Sequence, residues 1–193
     1  MSTEAFEAAV DHAMLYEVGG FWELTPDVEA GLIETREQRK AVGYVDDPLD
    51  RGGETKFGIA KNANPDVDIY HLTWDDAKEI YFNRYWLAGR CDEMPGRVAV
   101  LHFDGCVNHG IPRAGKFIQR ALGISADGII GPATLDAIHN SDPIELCLNV
   151  CSQREQFYRD IVSRNPNQSR FLRGWLRRVN EMRDFTCDAD RDF

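Results

Sequence analysis

Hydrophobic residues recur at helical spacing through much of the chain, and the recurrence breaks wherever proline, glycine and asparagine cluster. Over residues 3–16, Phe6, Val10, Ala13 and Met14 fall on one face, which predicts an amphipathic helix. The stretch 21–50 interleaves Pro26, Gly31, Gly43 and Pro48 with charges. It reads as a long irregular excursion whose middle, "VEAGLIETREQRKAV", has room for a short helix. In "RGGETKFGIAK", from Arg51, a Gly-Gly turn precedes alternating Thr55, Phe57 and Ile59, the pattern of a small hairpin. Thr73 is placed to cap "WDDAKEIYFNRYWLA", which has acids in its first turn, and Pro95-Gly96 closes that segment.

From residue 97 onward the pattern is helical. "RVAVLHFDGCVNHG" predicts one buried helix ended by Gly110, and "PRAGKFIQRALG" another that stops at Gly123. Asp142-Pro143 opens a long helix to Arg164, broken by Asn165-Pro166-Asn167. A last helix over 168–183 puts Phe171, Leu172, Trp175, Leu176 and Val179 on one stripe, read as core with the intervening arginines in solvent. The expected architecture is mainly α, of α+β type, with one small hairpin and two lobes. One lobe is 1–88, the other is 89–183, and 184–193 is an acidic, flexible tail.

Length and a 43% hydrophobic content are enough for a packed core. No apolar run is long enough to span a membrane, and "MSTEAFEAAVDHAM" has no signal-peptide pattern. The expected site of synthesis is therefore the cytoplasm, with no stable membrane insertion. The net charge of −10 argues against nucleic acid as the main partner. Residues 150–183 depart from it, with 8 Arg against 3 acids, a run that most often forms a solvated helix face. Five cysteines in such a chain are expected to be reduced thiols, and Cys147 and Cys151 share a helix face. His102 and His109 also share a face but lack a third ligand, so no metal site and no cofactor are expected.

Two stretches carry candidate chemistry. In "LYEVGGFWEL" Glu17 stands where a helix meets Gly19-Gly20. It is either a solvated carboxylate beside a C-terminal glycine cap, or a proton donor. The negative end of the helix dipole and the aromatics Tyr16, Phe21 and Trp22 would raise a carboxyl pKa there, as a general acid requires. In "DDPLDRGGETKFGI", Asp46, Asp47 and Asp50 precede the hairpin bearing Thr55. A second carboxylate there could activate water or balance an oxocarbenium-like charge, with the threonine hydroxyl holding the water. The same residues could equally serve only to shape a turn.

Together these stretches resemble glycoside hydrolase family 108, the phage-type N-acetylmuramidases, in which a Glu-Gly-Gly-Tyr motif is followed by Asp-Pro-x-Asp-x-Gly-Gly-x-Thr-x-x-Gly-Ile. The second motif matches at Asp47, Pro48, Asp50, Gly52, Gly53, Thr55, Gly58 and Ile59. Downstream, Tyr85-Trp86, "FDGCVNHG", "AGKFIQRALG", "DGIIGPATLDAI" and "FLRGWLRRVN" are similar, in order, to the peptidoglycan-binding region that accompanies this domain. The chain departs from the pattern by Val18 and by about two dozen residues inserted before Gly43-Tyr44. If Gly43-Tyr44 is the displaced half of the motif, Glu37 rivals Glu17 as the acid.

The resemblance implies a lysozyme-like fold around a cleft, acting on peptidoglycan glycan strands at the β-1,4 bond from N-acetylmuramic acid to N-acetylglucosamine. It implies Glu17 as general acid; Asp50 is the expected second carboxylate, either orienting water with Thr55 or balancing charge, and Asp47, before Pro48, is read as shaping the turn. Tyr44, Trp86 and Asn108 are the expected sugar contacts, although a single aromatic is more often core and Asn108 could equally tie its helix to a neighbour. The expected role is a monomeric phage or prophage endolysin that needs a release route from the host cytoplasm, or packaging in a virion. A lytic transglycosylase and a non-catalytic wall-binding virion module are the alternatives.

Overall fold

Burial of Phe6, Val10, Ala13 and Met14 gives the first helix, α1 (Thr3–Glu17), the apolar face its spacing predicts. The computed structural model describes residues 3–19, 22–47, 53–188, 190, 191 and 193. Within them the chain forms two compact units, Val10–Asn83, and Met1–Ala9 together with Arg84–Phe193. The architecture is mainly helical, with one two-stranded antiparallel sheet among the described residues. No helix is long and apolar enough to cross a membrane.

In the unit Val10–Asn83, α1 stops at Glu17 because Gly19 turns left-handed (φ +73°) and returns its N–H to the Tyr16 carbonyl at 3.4 Å. The excursion holds two short helices where the sequence suggests one. These are α2 (Pro26–Glu29), capped by Thr25, and α3 (Arg36–Ala41), opened by a reciprocal Thr35–Gln38 capping box. The end of α3 is a Schellman motif on Gly43 (φ +60°). Its N–H bonds Lys40 O at 3.2 Å, and the Tyr44 N–H bonds Arg39 O at 2.7 Å.

The hairpin pairs β1 (Thr55–Lys56) with β2 (Ile59–Ala60) in the register Thr55↔Ala60 and Lys56↔Ile59. Val45 bridges the other side of Thr55. Phe57, expected within a strand, is instead the first turn residue. Phe57 (φ +52°) and Gly58 (φ +74°) together make the turn with two positive φ angles that matches strand twist. A phenylalanine is unusual there. It is held by full burial against Trp74 (5.6 Å) and Trp22 (6.3 Å), by its N–H on Val42 O, and by Tyr81 Oη donating to its carbonyl at 2.8 Å. Helix α4 (Trp74–Tyr81) opens on the capping box Thr73–Asp76, and a π-helical turn, Phe82–Leu87, follows it.

In the other unit, helices α5 (Gly96–His109), α6 (Ile111–Ala121) and α8 (Pro143–Arg164) begin and end at the predicted proline, glycine and asparagine punctuation, α7 (Pro132–His139) opens on Gly131-Pro132, and α9 (Ser169–Cys187) overruns its predicted end. Asp142 caps α8 by accepting the Glu145 N–H at 2.8 Å. The arginine-rich helices are not simply solvated. Arg154 from α8 and Arg178 from α9 are buried and converge on Asp104 of α5, at 2.6 and 2.8 Å. The two guanidiniums outweigh the cost of burying Asp104 and hold its carboxyl well below the usual range.

The α9 stripe also departs from the expected core. Val179 is buried, whereas Phe171 is 42% exposed and Leu172, Trp175 and Leu176 are half-buried. The segment expected as a flexible tail continues α9 to Cys187. Arg97 then donates to the carbonyls of Thr186, Asp188 and Arg191, while Phe193 packs on Phe185. All five cysteines are free, four of them buried. Burial raises the thiol pKa of Cys147 and Cys151, the latter to about 12.

Candidate active site

Glu17 is the last residue of α1, and its side chain lies against the hairpin turn. A β-carbon built on Gly58 would stand 2.9 Å from Glu17 Cβ, 3.2 Å from Glu17 Oε2 and 2.7 Å from Tyr81 Oη. Gly58 is therefore glycine for two reasons, its left-handed backbone and the carboxylate and phenol pressed on it. The turn of the "TKFGI" motif thus forms one wall of the carboxylate's seat. Tyr81 fixes that wall by its bond to the Phe57 carbonyl.

The excursion after Glu17 returns to where it left. A β-carbon on Gly43 would lie 3.1 Å from Val18 Cα and Cγ1, so Gly43-Tyr44 sits beside the residue that follows Glu17. The interrupted Glu…Gly-Tyr motif is rejoined in space. Glu37, the rival acid, is exposed in the first turn of α3.

Tyr44 is half-buried. Its hydroxyl donates to Glu54 Oε1 at 2.9 Å, and its ring meets Tyr70 edge-on at 6.1 Å, with the Arg39 guanidinium 5.9 Å from the ring centre. Burial first, then the hydrogen bond and negative charge of Glu54, push the phenol up to about 12. Thr55 Oγ1 donates to the Gly53 carbonyl at 3.1 Å, so its oxygen remains an acceptor. Asp47 is exposed, and Asp50 lies outside the described residues.

Two expected sugar contacts belong to the other unit, and one of them, Trp86, is corrected by its surroundings. Trp86 is 2% exposed, packed on Phe6 (5.4 Å) and Phe103 (5.8 Å), so it is core and not a stacking platform. Asn108 is exposed where its apolar helix suggested burial, and its amide donates to Tyr158 Oη at 2.8 Å. It thereby ties α5 to α8. His102 is buried, with Nε2 3.5 Å from Cys106 Sγ. His109 packs among Phe117, Phe157 and Tyr158, and burial with the nearby Arg154 pushes its pKa down to about 3. Among the described residues no group of three or more His, Cys, Asp or Glu side chains is placed to hold a metal ion.

Three residues of the site escape a sequence reading. Tyr81 looks like one more apolar position of α4, and Glu54 and Tyr70 carry no spacing signal. Gly58 carries one, as the glycine of a Phe-Gly turn between two short strands.

Residues 37–110 match the glycosyl hydrolase 108 family, and residues 113–180 match a family described as a predicted peptidoglycan domain. The comparison with curated proteins gives no match. Among solved structures, that of Brucella abortus SagA is similar at 29% identity and a TM-score of 0.64, over 77% of this chain and 88% of that one. The first matched segment begins at Glu37, downstream of Glu17. Glu17 thus lies outside the matched segment, while the fold sets Val18, the residue after it, beside Gly43 within that segment.

Proposed function

The chain belongs to the glycosyl hydrolase 108 family, and from that premise we propose that the unit Val10–Asn83 cleaves peptidoglycan glycan strands with Glu17 as general acid. The observation that carries this reading is the seat of Glu17, a helix-terminal carboxylate set against Gly58 and Tyr81 in the family's glycine-rich turn. Protonated Glu17 donates to the glycosidic oxygen as the bond to the anomeric carbon breaks. Water adds its hydroxyl to that carbon and gives its proton to a second carboxylate, for which we propose Asp50, with Thr55 accepting from the water. Tyr44, braced by Glu54 and Tyr70, offers a ring face to a sugar.

In this reading the scissile bond joins N-acetylmuramic acid to N-acetylglucosamine, and the enzyme serves as a phage or prophage endolysin. The test is digestion of purified sacculi by wild-type protein and Glu17→Gln, with products read by mass spectrometry. Reducing muramic ends from the wild type, and a loss of about 10²–10⁴-fold in the folded variant, are expected. Anhydro-muramic ends would assign a lytic transglycosylase instead. Full activity in the variant would remove Glu17 from the chemistry.

A further inference from the structure

The facing sides of α6 and α8 enclose a groove of about 480 Å³ in which cations dominate, although the chain as a whole is strongly acidic. On α6, Arg113, Lys116, Phe117 and Arg120 follow one another at three and four residues, so they form a single stripe. On α8, Phe157, Asp160, Ile161 and Arg164 form the opposing stripe. The result is four cations against one carboxylate, over a floor of two phenylalanines and an isoleucine. Asp160 is itself engaged, accepting from the Gln156 amide at 2.8 Å.

None of the four cations makes an ion pair among the described residues. Arg113 instead lies over the Phe157 ring at 4.9 Å, an arrangement that orients a guanidinium without neutralising it, and Lys116 shares its field with Asp127 on the following loop. A concave site of this volume suits a short oligomer, and unpaired cations over an apolar floor suit one carrying both carboxylates and small aliphatic groups.

We propose that this groove binds the stem peptide of peptidoglycan, recognising its free carboxylates with Arg113, Lys116, Arg120 and Arg164 and its alanine methyl groups with Phe117, Phe157 and Ile161. The proposal rests on the reading that peptidoglycan is the substrate, and it names the part of that polymer the second unit contacts. Neutral N-acetyl sugars would leave the cations without a partner. A phosphodiester polymer would meet the charge but not use the floor. The amides of Gln153 and Gln156, also on the groove wall, suit the backbone of a peptide.

The test is calorimetric titration of the full chain with a synthetic L-Ala-γ-D-Glu-diamino acid-D-Ala-D-Ala pentapeptide, its fully amidated form, chitotetraose and polyglycerol phosphate. Saturable binding of the acid peptide is expected, weakened at least several-fold between 50 and 300 mM salt and lost in the amidated form. Arg120→Gln with Arg164→Gln should weaken it about tenfold. The paired Lys replacements should restore most of it, and unchanged circular dichroism reports folding. Binding of chitotetraose or polyglycerol phosphate with none of the peptide, or peptide binding indifferent to the charge-removing pair, overturns the proposal. Glu17→Gln should bind the peptide as the wild type does, so loss of hydrolysis in that variant and failure of this groove are read separately.

Discussion

In the unit Val10–Asn83 the fully buried cation Lys56 answers to the backbone, its ammonium donating to the Tyr70 carbonyl at 2.7 Å and lying 3.0 Å from the Cβ position of Gly31. In the helical unit the buried cations Arg154 and Arg178 answer to a side chain, Asp104. The difference follows from the backbone around them. The excursion and the loop before α4 contain few regular hydrogen bonds, so carbonyls are left for a lysine to satisfy. Long helices use their own carbonyls, so a cation buried between them must be matched by a carboxylate. Burial pushes Lys56 down to about 8, whereas the two arginines drive Asp104 to stay ionised. One unit therefore braces irregular chain around the seat of Glu17, and the other fixes helices in register.

The comparison breaks most sharply at Asp104. Asp104→Asn leaves two buried guanidiniums facing a neutral group, and a loss of about 3–5 kcal/mol is expected by urea denaturation. Hydrogen exchange should then locate the lost protection in α5, α8 and α9. A smaller effect is expected in the other unit from Gly58→Ala. Its left-handed backbone alone costs about 1–2 kcal/mol, and the added methyl must displace Glu17 or Tyr81. Glycan hydrolysis should fall further than thermal stability does. An alanine variant with unchanged activity would show that the turn does not seat the carboxylate.

Thr73→Ala should cost about 1 kcal/mol by removing half of the α4 capping box, with little change in hydrolysis. The last expected effect is a pH slope and not a fixed loss. His109 faces Arg113, Arg154, Arg178 and Asp104, and its folded pKa is depressed to about 3. Between that value and the ordinary histidine range the unfolded chain binds a proton the folded chain refuses. Stability is therefore fully present above that range and is lost as pH falls toward 3, by at most about 1.4 kcal/mol per pH unit. His109→Phe should flatten denaturation midpoints measured from pH 4 to 6.5. An unchanged slope would assign the acid sensitivity elsewhere.

Much of the helical unit was legible because proline, glycine and asparagine state where a helix starts and stops, and α5 to α8 obey them. What escaped were facts of partnership. Nothing local distinguishes Arg154 and Arg178 from their solvated neighbours, since burial depends on Asp104, 50 and 74 residues away in sequence. Trp86 carries the same composition signal whether it stacks on a sugar or on Phe6. At the candidate site the sequence pointed to Glu17 and to the hairpin, but the contact between them runs through Gly58 and Tyr81. The location of Gly43 beside Val18 could not be read because sequence records the length of an excursion and not where it returns.

That return has a use beyond catalysis. Since the chain leaves at Val18 and arrives back at Gly43 within van der Waals contact, the residues between form a closed detour with adjacent ends. Changing the length of such a detour alters loop entropy only logarithmically. The detour is itself packed, with Val28, Ile33 and Val42 buried and Trp22 against Phe57, so a reporter peptide is better inserted at its exposed bend by Glu34 than spliced in its place.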